Sequence, residues 1–289
     1  MMPVPKAGLL AVLALLAASL GAPRTVTAAE IGARAREVVR GNGVTIEVIT
    51  EGQGPAIVLL PSRGRDSEDF DEVAAGLAAA GYLVLRPQPR GALGSTGPMA
   101  GVTLHDLASD VALVVEALGA GRAVLVGHAY GSWVARMTAA DHPRLVRGVV
   151  VAATAAKSYP PGLSASVTAS AEPTLTDAER LVHLRRVFFA PGSDPRMWLK
   201  GWHPAASRMQ DDAGKATPQA AWWSGGTAPL LDLQADADPF RPENTRSQIR
   251  DEFGDKVTVA LVPGASHALL PEQPTAVVAA ITRWVADLP

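Results

Sequence analysis

The sequence predicts an α/β fold in which a mostly parallel, doubly wound sheet carries a helical cap insertion. Two observations predict it: short apolar, β-branched runs alternate with helical patterns, and one long segment lacks such runs. Several runs are continuously apolar, as is typical of strands buried on both faces of a parallel sheet. The predicted strands cover residues 44–49, 56–60, 82–85, 123–126, 148–152, 229–233 and 257–262.

Helices are predicted between these strands from their start and stop residues. A helix over 69–80 ends at Gly81, because glycine favours helix termination. Thr103 is a suitable N-cap for a helix over 104–118, which Gly119 would end. Further helices are predicted over 131–140 and 273–288.

The segment over 157–225 contains four of the six tryptophans and no clear strand. An insertion of this length is too long for a loop, so we predict a helical cap over the carboxyl edge of the sheet, where open α/β sheets bind ligands. The alternative is that the tryptophans only pack the cap onto the sheet. The residues expected to contact substrate are Ser62, Trp198, Trp202, Trp222 and Trp223.

Composition excludes several classes of protein. The chain has 289 residues, 48% hydrophobic and 19% charged, which supports a sizeable core and excludes intrinsic disorder. A net charge of −2 without long basic runs argues against nucleic-acid binding. No cysteine is present, which excludes disulfides and thiolate metal sites, and no histidine spacing suggests a metal.

The first 28 residues have the three-part pattern of a secretory signal peptide. A weakly positive start precedes the apolar run 7–20, and Val26-Thr27-Ala28 supplies small residues for cleavage. The run is about 14 residues long, shorter than the roughly 20 that span a bilayer, and a retained anchor is the alternative. We expect an exported protein, periplasmic or secreted, with no stable membrane span after cleavage, and a folded domain over 36–289.

Chemically reactive residues follow three of the predicted strands. Gly127 and Gly131 bracket a tight strand-to-helix turn of the kind that presents a nucleophile, but Ala129 occupies its centre. Asp238 follows a later strand, with Asp236 as the reserve, and either could orient a histidine. His267 follows the last strand, where histidine is suited to act as general base.

Taken together, these residues resemble the α/β-hydrolase fold superfamily over about residues 40–288. The order of turn, acid and histidine is the order which that family uses, and the segments 88–95 and 271–274 add further matches. The resemblance implies an oxyanion hole formed by the backbone N–H groups of Tyr130 and Arg63. Leu60-Pro61-Ser62-Arg63-Gly64 departs from the family's usual His-Gly at this point.

Alanine at position 129 leaves three interpretations open, because a methyl group cannot attack a carbonyl. It is an inactivating substitution of serine, or catalysis proceeds without a nucleophilic side chain, with His267 and Asp238 activating water or a substrate proton. In the third, a binding protein has lost the reaction. Replacement nucleophiles to consider are Ser132, Ser266 and Ser62.

The sequence as a whole favours a hydrolase of a small to medium, partly apolar ester- or lactone-like substrate. In this interpretation His267 is the base and Asp238 its orienting acid. The resemblance also admits a His-Asp base-catalysed lyase or cofactor-free oxygenase. No metal or organic cofactor is implied, the expected partner is a small molecule, and the oligomeric state is not indicated.

Overall fold

The computed structural model of this chain describes Met1 and residues 33–118 and 121–289. The predicted signal peptide (1–28), apart from Met1, and the predicted helix stop at Gly119 lie outside the described residues. Within them, no helix is both long and apolar enough to cross a membrane.

Eight strands form one sheet in the order β1-β2-β4-β3-β5-β6-β7-β8. The β1–β2 and β2–β4 pairs are antiparallel and the other pairs are parallel. The seven predicted strands are present, but β1 was not predicted, because its side chains are mostly exposed and charged residues interrupt its apolar pattern. The strands are β1 Ala35–Gly41, β2 Val44–Glu51, β3 Ala56–Leu60, β4 Leu83–Pro87, β5 Ala123–His128, β6 Val146–Ala152, β7 Leu230–Ala235 and β8 Val257–Val262.

Helices cover both faces of the sheet, and each face has its own apolar cluster. Thr103 caps its helix as predicted, since its side chain accepts from the Asp106 N–H while the Asp106 carboxylate accepts from the Thr103 N–H. These helices are α1 Asp71–Ala79, α2 Leu104–Ala117, α3 Gly131–Asp141, α8 Gln248–Phe253, α9 Leu269–Glu272 and α10 Pro274–Ala286.

Residues 153–229, between β6 and β7, form the helical insertion. It contains α4 Leu163–Ser170, α5 Asp177–Val187, α6 Pro204–Ala216 and α7 Gln219–Trp222, with a 3-10 helix at Pro195–Leu199. A third apolar cluster joins Phe188 and Trp198 of the insertion to Phe240 and Ala268 of the sheet domain. The insertion therefore shares a small core with the loops at the carboxyl end of the sheet.

Two arginines of the sheet domain each contact the rings of two tryptophans of the insertion. The Arg65 guanidinium lies 4.6 Å from the ring centres of both Trp198 and Trp202, whose planes are perpendicular to each other. We call this group the Arg65 cluster. Such cation–π contacts stabilise by about 0.5–2 kcal/mol each, more where water is excluded.

The Arg136 cluster is the second such group. The Arg136 guanidinium lies 4.7 Å from the ring centre of Trp222 and 4.5 Å from that of Trp223. All four tryptophans predicted to contact substrate therefore pack against arginines of the sheet domain.

Candidate functional site

The turn after β5 keeps the geometry of a nucleophile-presenting turn although its central residue is alanine. Ala129 has φ of 48°, a left-handed conformation that costs energy for any residue with a side chain. A Cβ on Gly127 would overlap the Gly131 carbonyl, and a Cβ on Gly131 would overlap the Leu60 carbonyl. Both glycines are therefore needed for the turn, which presents the Ala129 methyl group where a nucleophile would stand.

His267 and Asp238 form a buried hydrogen-bonded pair. His267 Nδ1 lies 2.9 Å from Asp238 Oδ2, and Asp238 Oδ1 accepts the Phe240 N–H at 2.8 Å. Since a carboxylate only accepts, Nδ1 carries a proton, and in the neutral imidazole the lone pair is then on Nε2. The reserve acid, Asp236, instead accepts the Gly264 N–H at 3.0 Å and holds the turn before the histidine.

Glu272 holds the loop that carries His267, a role that the sequence did not reveal. Its two carboxylate oxygens accept the backbone N–H groups of Ser266 and Ala190, each at 2.7 Å. The N–H of Ala268 also donates to the Phe188 carbonyl at 2.7 Å. Hydrogen bonds therefore connect the loop that carries His267, which we call the base loop, to the insertion on both sides of the histidine.

A cavity of about 300 Å³ brings the predicted site residues together. Ala129 and His267 line it, and so do the predicted contact residue Ser62 and both predicted oxyanion-hole residues, Arg63 and Tyr130. The four insertion tryptophans do not line it. The tryptophan that does is Trp133 of α3, which stacks on Trp222 at 4.8 Å between ring centres.

The backbone N–H groups of Arg63 and Tyr130 have no hydrogen-bond acceptor among the described residues. Gln210 of α6 holds both segments in place: its Oε1 accepts the Gly64 N–H and its carbonyl oxygen accepts the Tyr130 hydroxyl, each at 2.7 Å. Burial raises the pKa of the Tyr130 phenol above its usual value, so it remains a donor. An isolated glutamine in a helical pattern gave no sequence signal for this role.

The serines considered as replacement nucleophiles differ in their surroundings. Ser132 Oγ lies 2.6 Å from the Ala129 carbonyl and 3.0 Å from Thr154 Oγ1 within the buried core. Ser266 Oγ donates to the Ala237 carbonyl at 3.1 Å. Neither lines the cavity, whereas Ser62 does.

His128, beside the turn, is fully buried and neutral. Its Nε2 lies 2.7 Å from the His267 carbonyl oxygen, which can only accept, so Nε2 carries the proton. Burial, and then the neighbouring His267 and Arg65, lower the pKa of His128 to about 3. It therefore supports the base loop without charge. Within the described residues, no three carboxylate or imidazole side chains cluster closely enough to hold a metal ion.

Residues 55–274 match a family model described as the alpha/beta hydrolase fold. Two curated relatives are epoxide hydrolases. Epoxide hydrolase A of Mycobacterium tuberculosis is 34% identical over 143 residues, which cover 45% of this chain and 43% of the relative. The epoxide hydrolase of Caballeronia sordidicola is 26% identical over 194 residues, covering 65% of this chain and 52% of the relative. Both matches thus span about half of the relatives' own length.

Among solved structures, an esterase from Exiguobacterium antarcticum superposes with a TM-score of 0.72 at 17% identity. The superposition covers 88% of this chain and 100% of the esterase. At this level of identity the likeness shows a shared fold and leaves the substrate open.

Proposed function

Since the chain belongs to the α/β-hydrolase fold family, we propose that it hydrolyses a small to medium, partly apolar ester- or lactone-like substrate with water as the nucleophile. One observation carries the proposal: His267 lines the same cavity as Ala129 and is hydrogen-bonded to Asp238 at 2.9 Å. Phe188 and Phe240 line the same cavity and account for the apolar part of the substrate.

In the proposed reaction, His267 Nε2 takes a proton from water as the water oxygen attacks the carbonyl carbon. Asp238 stabilises the imidazolium that forms, and its bond to Nδ1 keeps Nε2 directed at the reacting water. The Arg63 and Tyr130 N–H groups stabilise the negative charge that develops on the carbonyl oxygen. The imidazolium then returns the proton to the leaving alkoxide as the carbon–oxygen bond breaks.

The test compares the natural chain with Ala129→Ser and His267→Ala on a panel of chromogenic esters and lactones. We expect the natural chain to turn over without an initial burst, because no acyl-enzyme forms. His267→Ala should lower kcat by about 10²–10⁴-fold, the usual contribution of a general base. The control is His105→Ala, which removes an exposed histidine paired with Asp141 at 2.7 Å. Turnover that survives His267→Ala would sink the mechanism.

A second candidate is a ligand-binding protein without turnover, and the absence of a hydroxyl at position 129 favours it. It predicts that the natural chain binds small acyl compounds but releases no product. Turnover by the Ala129→Ser variant alone would then identify a hydrolase scaffold that lacks its nucleophile. Turnover by the natural chain that serine does not increase would support water as the nucleophile.

A further inference from the structure

Three charged residues besides His267 line the cavity, and two of them lie on α6 of the insertion. We call the place where the three meet the insertion end. Asp211 of α6 accepts from Arg63 Nη1 at 2.7 Å, and Lys215 Nζ lies 2.6 Å from its other oxygen. Arg63, Asp211 and Lys215 all line the cavity, and apart from His267 they are its lining residues with ionisable, charged side chains. Two cations with one carboxylate leave a single positive charge at this end, in a protein whose formal net charge is −2.

The two cations keep donors to spare. An arginine has five N–H donors, and Arg63 uses one on Asp211 and a second on Thr168 Oγ1 at the long distance of 3.5 Å. Lys215 has three donors, of which Asp211 accepts one. The Arg63 side chain is 21% exposed, so it is partly shielded from water, where charge-assisted hydrogen bonds are strong.

We propose that the substrate carries a carboxylate, which Arg63 and Lys215 bind at the insertion end while the scissile carbonyl lies beside Ala129 and His267. This inference rests on the proposed function for the bond that is cleaved. Arg63 contributes at both ends, its backbone N–H to the carbonyl oxygen and its guanidinium to the carboxylate. The carboxylate and the carbonyl therefore lie within one arginine side chain of each other, which favours monoesters of short dicarboxylic acids.

The experiment measures binding separately from turnover. Titration calorimetry compares glutarate monoamide with the uncharged diamide, neither of which presents an ester. The natural chain should bind the monoamide at least tenfold more tightly, and added NaCl should reduce that preference. Lys215→Met should reduce the preference several-fold, and Asp211→Asn should increase it, because the carboxylate that competes for the two cations is removed.

Arg196→Gln is the matched control, since it removes an exposed cation paired with Asp194 outside the cavity. It should leave the preference unchanged. Equal affinity for monoamide and diamide, or a preference that Lys215→Met leaves intact, would overturn the inference.

Kinetics on a charged monoaryl glutarate and its uncharged methyl ester complete the test and separate the two proposals. Turnover of both esters at equal kcat/KM would refute carboxylate recognition and leave hydrolysis standing. Selective binding of the monoamide, with no turnover of either ester or of the ester and lactone panel, would refute hydrolysis and leave carboxylate recognition standing.

Discussion

The Arg65 and Arg136 clusters each consist of one arginine and two tryptophans, but they differ in what else the arginine contacts. Arg65 also binds the buried carboxylate of Asp69, with Nε donating to Oδ2 at 2.7 Å. Arg136 donates to neutral oxygens, those of Ser132, Trp223 and Thr154, at 3.1–3.3 Å. Burial lowers the pKa of Arg136 to about 9, which leaves it charged at neutral pH.

This difference separates a buried ion pair from a buried cation held by rings and neutral oxygens. Removing one member of a buried pair leaves the other charge uncompensated. Loss of Arg136 instead breaks hydrogen bonds to neutral oxygens, and the carboxylate that Arg136 influences without pairing to it, Asp232, keeps its ion pair with Arg241. Loss of the arginine should therefore change the free energy of unfolding by different amounts in the two clusters, although the distances from arginine to tryptophan are nearly equal.

The largest effect is expected on stability. Arg65→Met should lower the free energy of unfolding by about 3–5 kcal/mol at pH 7, because Asp69 is left buried without its counter-ion. Arg136→Met should cost about 1–3 kcal/mol, the usual range for buried acceptors left unsatisfied. Urea unfolding of both variants measures the two losses.

The pH dependence of these losses sharpens the comparison. Burial already raises the pKa of Asp69 in the folded protein, and loss of Arg65 should raise it further. A raised carboxyl pKa means that the folded state binds the proton more tightly, so the Arg65→Met penalty should shrink as the pH falls from 7 towards 4. Equal pH dependence in the two variants would contradict the proposed difference.

Three of the predicted site residues could be placed from the sequence because each lies close to the end of a strand. The turn at Ala129, the choice of Asp238 and the placement of His267 rest on short segments at strand ends, and the structure brings Ala129 and His267 to one cavity, with Asp238 hydrogen-bonded to the histidine. Such local patterns are readable because strand, turn and helix fix the backbone within a few residues.

The aromatic residues that line the cavity could not be predicted in the same way. A tryptophan in a helical segment has the same pattern whether it faces a ligand or an arginine from a distant segment. Trp133 lines the cavity and Trp222 stacks on Trp133 without lining it, yet only Trp222 was predicted to contact substrate. Gln210 and Glu272 likewise act through partners far away in sequence, at separations of 146 and 82 residues.

A smaller effect on stability is expected from protonation of His128. This residue lies beside the Arg65 cluster, with its ring centre 6.0 Å from that of Trp198. Its folded pKa of about 3 lies below the unfolded value of 6.5, so the unfolded state binds more protons between these values. Stability should therefore fall with acidification below pH 6.5, by up to about 1.4 kcal/mol per pH unit from this group.

His128→Asn removes the titrating group while its amide can still donate to the His267 carbonyl. The difference in unfolding free energy between the natural chain and this variant should change with pH between 4.5 and 6.5. No such change would mean that His128 is not held neutral by burial. Changes in the carboxylates are common to both proteins and cancel in the difference.

The smallest expected effect concerns catalysis, because the Arg65 and Arg136 clusters contact different parts of the site. Trp198 packs on Phe188, which contacts the His267 ring at 5.6 Å between centres, whereas Trp222 stacks on the cavity residue Trp133. Aromatic pairs contribute about 0.5–1.5 kcal/mol, or roughly two- to tenfold in rate or affinity. For an ester that the natural chain turns over, Trp198→Phe should lower kcat by about threefold at unchanged KM, because the base is less well held. Trp222→Phe should raise KM by a similar factor at unchanged kcat. A shift of the same parameter in both variants would show that the two clusters act on the site as one unit.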